Sequence, residues 1–178
     1  MKEKINFISA IGVIVIAFLF ISLCAQISFD LPGGIPFSGQ SFAILSVGIC
    51  CGWIIGGITV SIYLIAGLLG APIFAGGASG FNHFLDGSGG YFVGFIIAII
   101  VVGLLKKKGF DRTFGKNTLA FLVGHFIILL CGTIGIYLIH NLETAYQYGF
   151  KPFILAAVFK SLLGGVVMPI YYQIRKEW

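Results

Sequence analysis

The chain has 178 residues, of which 58% are hydrophobic and only 10% charged, and its mean hydropathy is +1.06. A water-soluble domain usually carries about 25% charged residues, so this composition excludes an ordinary soluble domain. The net charge of +5 does not signal nucleic-acid binding, because the basic residues sit between and beside apolar runs and form no exposed basic face.

The apolar runs predict an all-α, polytopic membrane protein with six transmembrane helices at 5–25, 40–56, 58–71, 90–105, 118–140 and 153–174. Each crossing needs roughly 20 mainly apolar residues. Together they make a single membrane-embedded domain over 1–178. The chain holds 26 glycines, many of them inside apolar segments, where they favour close helix packing. Cys24, Cys50, Cys51 and Cys131 lie in or beside apolar runs without a CxxC pair, so they read as small buried side chains and not as a metal or redox site.

The first span has a longer apolar core than the roughly 7–15 residues of a signal peptide. Leu23 is also too large for a cleavage site before Cys24, so a retained helix is expected. Ala10, Ala17 and Cys24 share one face, which suits either a partner helix or internal packing. Leu31-Pro32-Gly33-Gly34-Ile35-Pro36 then rules out a regular helix. In span two, Gly48, Gly52 and Gly56 fall on one helical face and predict a close intramolecular contact. Gly56-Gly57 permits a tight reversal into span three, which is short for a crossing.

Residues 72–89, PIFAGGASGFNHFLDGSG, form a long loop whose glycines permit close approach to a ligand and whose phenylalanines suit an apolar cover. Within it Asn82 and His83 offer hydrogen bonds, and Asp86 suits a solvated turn. Tyr91 opens span four, as an interfacial anchor or as a ring against ligand. The basic stretch that follows contains Gly109 to Asn117, which has the wrong spacing and the wrong last residue for a phosphate-binding loop. If the protein transports actively, ATP hydrolysis must come from another chain or the energy from an ion gradient.

His125 lies about two turns into span five, where a lone histidine usually serves as a hydrogen-bonding residue. Lys160 lies eight residues beyond Pro152, about 12 Å along the last helix. A buried amine there costs at least about 2–3 kcal/mol and calls for a polar cavity. No acidic residue occurs in the apolar spans to pair with it, so a ligand carboxylate is the expected partner. Of the 11 basic residues, Lys2, Lys4, Lys106, Lys107, Lys108, Arg112, Lys116, Arg175 and Lys176 fall on one side of this topology and Lys151 on the other. The positive-inside rule then places both termini in the cytoplasm. An intramembrane enzyme working through His125 or His83 would need a nucleophile or a carboxylate–histidine pair at matching depth. The sequence offers none, so no catalytic residue, metal or cofactor is expected.

Pro36-Phe37-Ser38-Gly39-Gln40-Ser41 resembles the PFTxQT-like entry to span two of BioY proteins, the biotin-specific S components of energy-coupling factor (ECF) transporters. The run from Tyr63 to Gly77, YLIAGLLGAPIFAGG, is similar to that family's YLxxGxxGxPVFAGG pattern, and Gly89-Gly90-Tyr91-Phe92-Val93-Gly94-Phe95 to its TGGYLxGF segment. Gly124-His125 resembles the start of its fifth helix, and Pro152-Phe153 with Lys160 its PFxxxDxxK helix.

The resemblance implies a protein of the bacterial plasma membrane that captures biotin from outside and works with an ECF transmembrane coupling protein and two ATPase subunits. It carries biotin-pocket roles onto Tyr91 and Lys160, with Gln40 and Asn82 as further candidates. Two departures stand out. Ala157 occupies the position of the family's acidic residue, which leaves three alternatives: another acceptor (Asn82, Asp86 or Gln40), a lower affinity, or a different small vitamin-like acid as cargo. Span one also lacks the AxxxA spacing by which many S components dock their partner, so a solitary transporter stays open.

Overall fold

The computed structural model describes residues 7–31 and 35–177. It is nearly all helical, and five of its helices are long and apolar enough to cross a membrane. Large apolar side chains such as Ile8, Ile16, Leu69, Leu138 and Phe159 cover the outside of the bundle. That surface suits lipid, where a helix satisfies its own backbone groups and needs no water.

Helix α1 (Phe7–Gln26) packs on α2 (Gln40–Leu68). Ala17, Ile21 and Ala25 are buried along its inner face, with Cys24 half-buried beside them. The small-residue stripe thus serves internal packing at Ala17 and Cys24. Between α1 and α2 runs an antiparallel hairpin of β1 (Ser28–Leu31) and β2 (Ile35–Ser38), with Ser28 opposite Ser38 and Phe29 opposite Phe37. Its Pro/Gly tip, residues 32–34, lies outside the described residues. The hairpin hands over to α2 at Gly39, where a Cβ would stand 2.4 Å from the Cys24 carbonyl oxygen. Only glycine fits there, and its N–H donates to the Ile27 carbonyl at 2.9 Å.

Helix α2 is two arms. Gly52 has φ 80° and ψ 175°, a conformation essentially reserved for glycine. The arms fold back on each other: a Cβ on Gly56 would lie 3.6 Å from Gly48 Cα, against about 12 Å along a straight helix. The reversal expected at Gly56-Gly57 therefore occurs at Gly52. The three-glycine row is corrected with it. Gly48 and Gly56 both face Ile99, but from opposite arms, and Gly52 makes the turn between them.

The 3-10 turn Ala75–Gly77 leads to α3 (Phe81–His83), the π-helical turn Phe84–Ser88 and α4 (Gly89–Lys107). The last three run together as one membrane-length helix, Phe81–Lys107. The stretch 72–89 is accordingly a short anchored loop followed by helix. Gly76, Gly77 and Gly80 take positive φ in the loop, and Gly87, with φ 102°, makes the irregular turn inside the helix. Phe74 pins the loop: it is fully buried, and its ring lies where a Cβ on Gly67 would be.

Helix α5 (Phe114–Ile139) packs on α4, and α7 (Lys151–Glu177) packs on α5. The turn between them contains α6 (Leu142–Thr144), capped by the Asn141 side chain accepting from the Thr144 N–H at 2.8 Å, and the π-helical turn Ala145–Phe150. Helices α4 and α5 touch backbone to backbone, since a Cβ on Gly90 would stand 2.4 Å from the Cys131 carbonyl oxygen. Strand β2 leans on α7 through Phe37 and Phe159, whose ring centroids are 6.4 Å apart. The four cysteines form no disulfide with one another and are half-buried rather than fully buried; Cys50 meets Met168, sulfur to sulfur at 3.8 Å.

Candidate ligand-binding cavity

A cavity of about 220 Å³ opens among α2, α4, α5, α7 and the loop after α2. That is smaller than the roughly 300–1,000 Å³ of drug-sized sites, so it suits a compact molecule. Three helices each supply side chains three or four residues apart, which puts them on one face. Tyr91, Phe92 and Phe95 come from α4, His125, Ile128 and Leu129 from α5, and Phe153, Ala157 and Lys160 from α7. Gln40 and Ser41 are the first residues of α2, so the positive end of that helix also meets the cavity. Ser38, Ala75, His83 and Ser88 complete the lining.

Lys160 is 5% exposed, and its side chain turns into the bundle instead of reaching for the surface. Its Nζ donates to Ser41 Oγ at 3.0 Å and lies 4.9 Å from the centroid of the Phe37 ring, close enough for a cation–π contact. None of the residues lining the cavity is acidic. A buried ammonium among hydroxyls and rings favours an anion placed in the cavity.

Gln40 is held by its Nε2 donating to Tyr63 Oη at 3.0 Å, and Tyr63 donates in turn to the Ile73 carbonyl at 2.8 Å. That pair ties the amide to the loop and leaves the Gln40 carbonyl oxygen and a second N–H available. Tyr91 lies flat against Gly132, where a Cβ would collide with its ring, and its hydroxyl donates to the Gly149 carbonyl in the π-helical turn. Since the hydroxyl is engaged there, the ring is the part that walls the cavity. Tyr91→Phe is expected to cost about 1 kcal/mol of stability, read as a lower melting temperature of the purified protein. His83 stacks on Phe74 at 5.8 Å and lies 5.9 Å from Phe92, putting an imidazole beside an otherwise apolar wall.

Of the residues picked from the sequence, Lys160, Tyr91, Gln40 and His125 line this one cavity, whereas Asn82 and Asp86 are exposed and do not. Ser38, Ser41 and Ser88 are polar lining residues that sequence reasoning did not single out, and His83, read there as a hydrogen-bonding loop residue, lines the cavity too. Ser41 and Ser38 stood in the Pro36–Ser41 motif, which was the available signal.

A lipid-facing helical bundle around a small, cation-bearing chamber defines a multi-pass membrane protein with room for a compact anionic ligand. The chain belongs to the BioY family, whose family model matches residues 1–177. A probable biotin transporter BioY of Pyrococcus horikoshii is 32% identical over 84% of this chain and 89% of its own length. The biotin transporter BioY of Thermotoga maritima is 29% identical over 80% and 83%. A probable biotin transporter BioY of Rickettsia prowazekii is 34% identical, but that match spans 60% of this chain and 54% of the relative. The fold is that of a crystal structure of the S-component for biotin from an ECF-type ABC transporter, with a TM-score of 0.82, 23% identity and coverage of 97% of this chain and 95% of that one.

Proposed function

We propose that this protein captures biotin as the substrate-specific subunit of an ECF-type transporter. The observation that carries the reading is the Lys160 ammonium, buried in a compact cavity without an acidic lining residue. Biotin offers a carboxylate for that nitrogen, an apolar bicycle for the Tyr91, Phe92, Phe95 and Phe153 walls, and a ureido group for the Gln40 amide or His83. Lys160, Tyr91, Gln40 and His125 are the residues assigned to the site, whereas Asn82 and Asp86 are exposed and outside the cavity lining.

Counting the two arms of α2 separately gives six passes with both termini cytoplasmic. The reversal at Gly52 packs against Gly103, near the end of α4 that leads into the basic stretch 106–116. Gln40, Ala75, Ser88 and Phe153 line the cavity from the other end of their helices. Under the positive-inside rule the basic end is cytoplasmic and the cavity faces outward. In this reading a transmembrane coupling protein and two ATPases complete import, supplying the energy the chain's own Gly109–Asn117 stretch is not built to harvest.

Calorimetry of the purified protein with biotin, desthiobiotin, thiamine and riboflavin tests the cargo. Biotin is expected to bind most tightly, and preference for another compound would overturn the assignment. The second test is co-purification of a coupling protein and ATPases from the native membrane; isolation of an active lone chain would argue for a solitary transporter.

A further inference from the structure

Lys160 is linked through Ser41 to His125, a buried histidine of the cavity wall whose two ring nitrogens both meet protein groups. Ser41 Oγ lies 3.0 Å from Lys160 Nζ and 3.3 Å from His125 Nε2. His125 is 3% exposed, and its Nδ1 lies 3.0 Å from both the Phe121 carbonyl oxygen and Ser161 Oγ. Ser161 gives its own hydrogen to the Ala157 carbonyl at 2.7 Å. Each end of this chain fixes the next link. A carbonyl oxygen only accepts, and the Ser161 hydroxyl has already donated, so the imidazole must carry its proton on Nδ1. Nε2 is then an acceptor, which orients the Ser41 hydrogen toward it and turns the Ser41 lone pairs toward the ammonium.

We infer that Ser41 and His125 are positioning residues for the carboxylate site: a neutral imidazole, fixed in its Nδ1–H form, holds the Ser41 hydroxyl so that it accepts from Lys160 and aims the ammonium into the cavity. The inference rests on the proposed function for the identity of the ligand, but not for the geometry of the chain. The histidine cannot be replaced here by a second cation, because an imidazolium would present an N–H to Ser41 and place two positive charges about one hydroxyl apart. Nor does it act as a base toward ligand, since both of its nitrogens are engaged by protein groups. The arrangement takes the place of a counter-carboxylate by offering the ammonium an oriented dipole that does not compete with an incoming anion for the charge.

Two measurements test this. The first needs no ligand: nitrogen NMR of protein labelled at histidine, with the His125 signals assigned by loss in His125→Gln. Nδ1 is expected to be protonated and Nε2 bare, with the Nε2 signal shifting in Ser41→Ala. An Nε2-protonated or doubly protonated ring, or an unmoved signal, overturns the inference. The second compares biotin with its uncharged amide by calorimetry. Ser41→Ala is expected to weaken biotin about tenfold, the effect of losing one oriented hydrogen bond to a charged group, while leaving the amide within about twofold. Ser41→Thr, which keeps the hydroxyl, restores most of the loss, and in a Lys160→Met background Ser41→Ala leaves the affinity for the amide unchanged. Equal losses for acid and amide would show a merely structural role. If wild-type protein holds neither compound, the biotin assignment fails, while the NMR result still decides the fate of the hydrogen-bonded chain.

Discussion

Lys160→Met is expected to abolish biotin retention and, in the same protein, to raise the melting temperature of the ligand-free form. The two effects have one cause. An ammonium 5% exposed among aromatic rings and hydroxyls has lost its hydration without gaining an opposite charge, so it destabilises the empty protein. Methionine has similar length and no charge, and it removes that burden with little change in packing. The same charge stabilises the complex, because a carboxylate entering the cavity meets no other cation in its lining. Removing one partner of a buried, hydrogen-bonded charge pair costs roughly 2–5 kcal/mol, so affinity should fall by about thirtyfold to several thousandfold. Calorimetry reads the first effect and a thermal melt without ligand reads the second. Lys160→Arg should recover only part of the binding, since a planar five-donor group does not fit the single-acceptor geometry set by Ser41 and Phe37. Wild-type biotin affinity in Lys160→Met would remove this nitrogen from the site.

The lysine was visible in the sequence because its surroundings are so apolar. A cation inside a run like Phe153–Val167, with no carboxylate in the spans, is costly enough that a place in a polar cavity is the expectation from its position. The long spans were visible for the same reason, since composition alone separates lipid-facing helix from loop. What composition does not carry is which residues meet across helices. Ser41 and Lys160 are 119 positions apart, and Ser41 and His125 are 84 apart, so a serine inside a motif reads as local turn chemistry until the fold joins them. The reversal in α2 was legible as a glycine-rich event but not to the residue. Gly52, Gly56 and Gly57 all permit it, and the packing of α4 against the turn is what selects Gly52. The glycines of 72–89 read as a loop, because one irregular residue such as Gly87 is enough to hide eight residues of helix from a propensity argument.

The packing that selects Gly52 makes Gly103 the position where the smallest change should do the most harm to the fold. A Cβ on Gly103 would stand 2.3 Å from Trp53 N, 2.6 Å from Trp53 Cα and 2.8 Å from Gly52 C. All three are backbone atoms, so no rotamer change relieves the clash, and α4 must move away from the turn of α2. Both helices line the cavity, α2 through Gln40 and Ser41 and α4 through Tyr91, Phe92 and Phe95. The Trp53 ring is also fixed from its other side by the Lys107 ammonium, 5.3 Å from its centroid, so the turn cannot simply slide. Gly103→Val is therefore expected to destabilise the protein by about 3–4 kcal/mol or more, lowering the melting temperature by roughly 10 °C and weakening biotin binding through loss of cavity shape. Gly103→Ala already places the colliding atom and should show most of the effect. Gly12→Val on α1 is the comparison: nothing lies within 4 Å of its Cβ, and that face of the helix looks outward. Detergent-solubilised Gly12→Val should melt close to wild type. If Gly103→Val did the same, the close seat of the α2 turn on α4 would be wrong, and with it the account of why the chain reverses at Gly52.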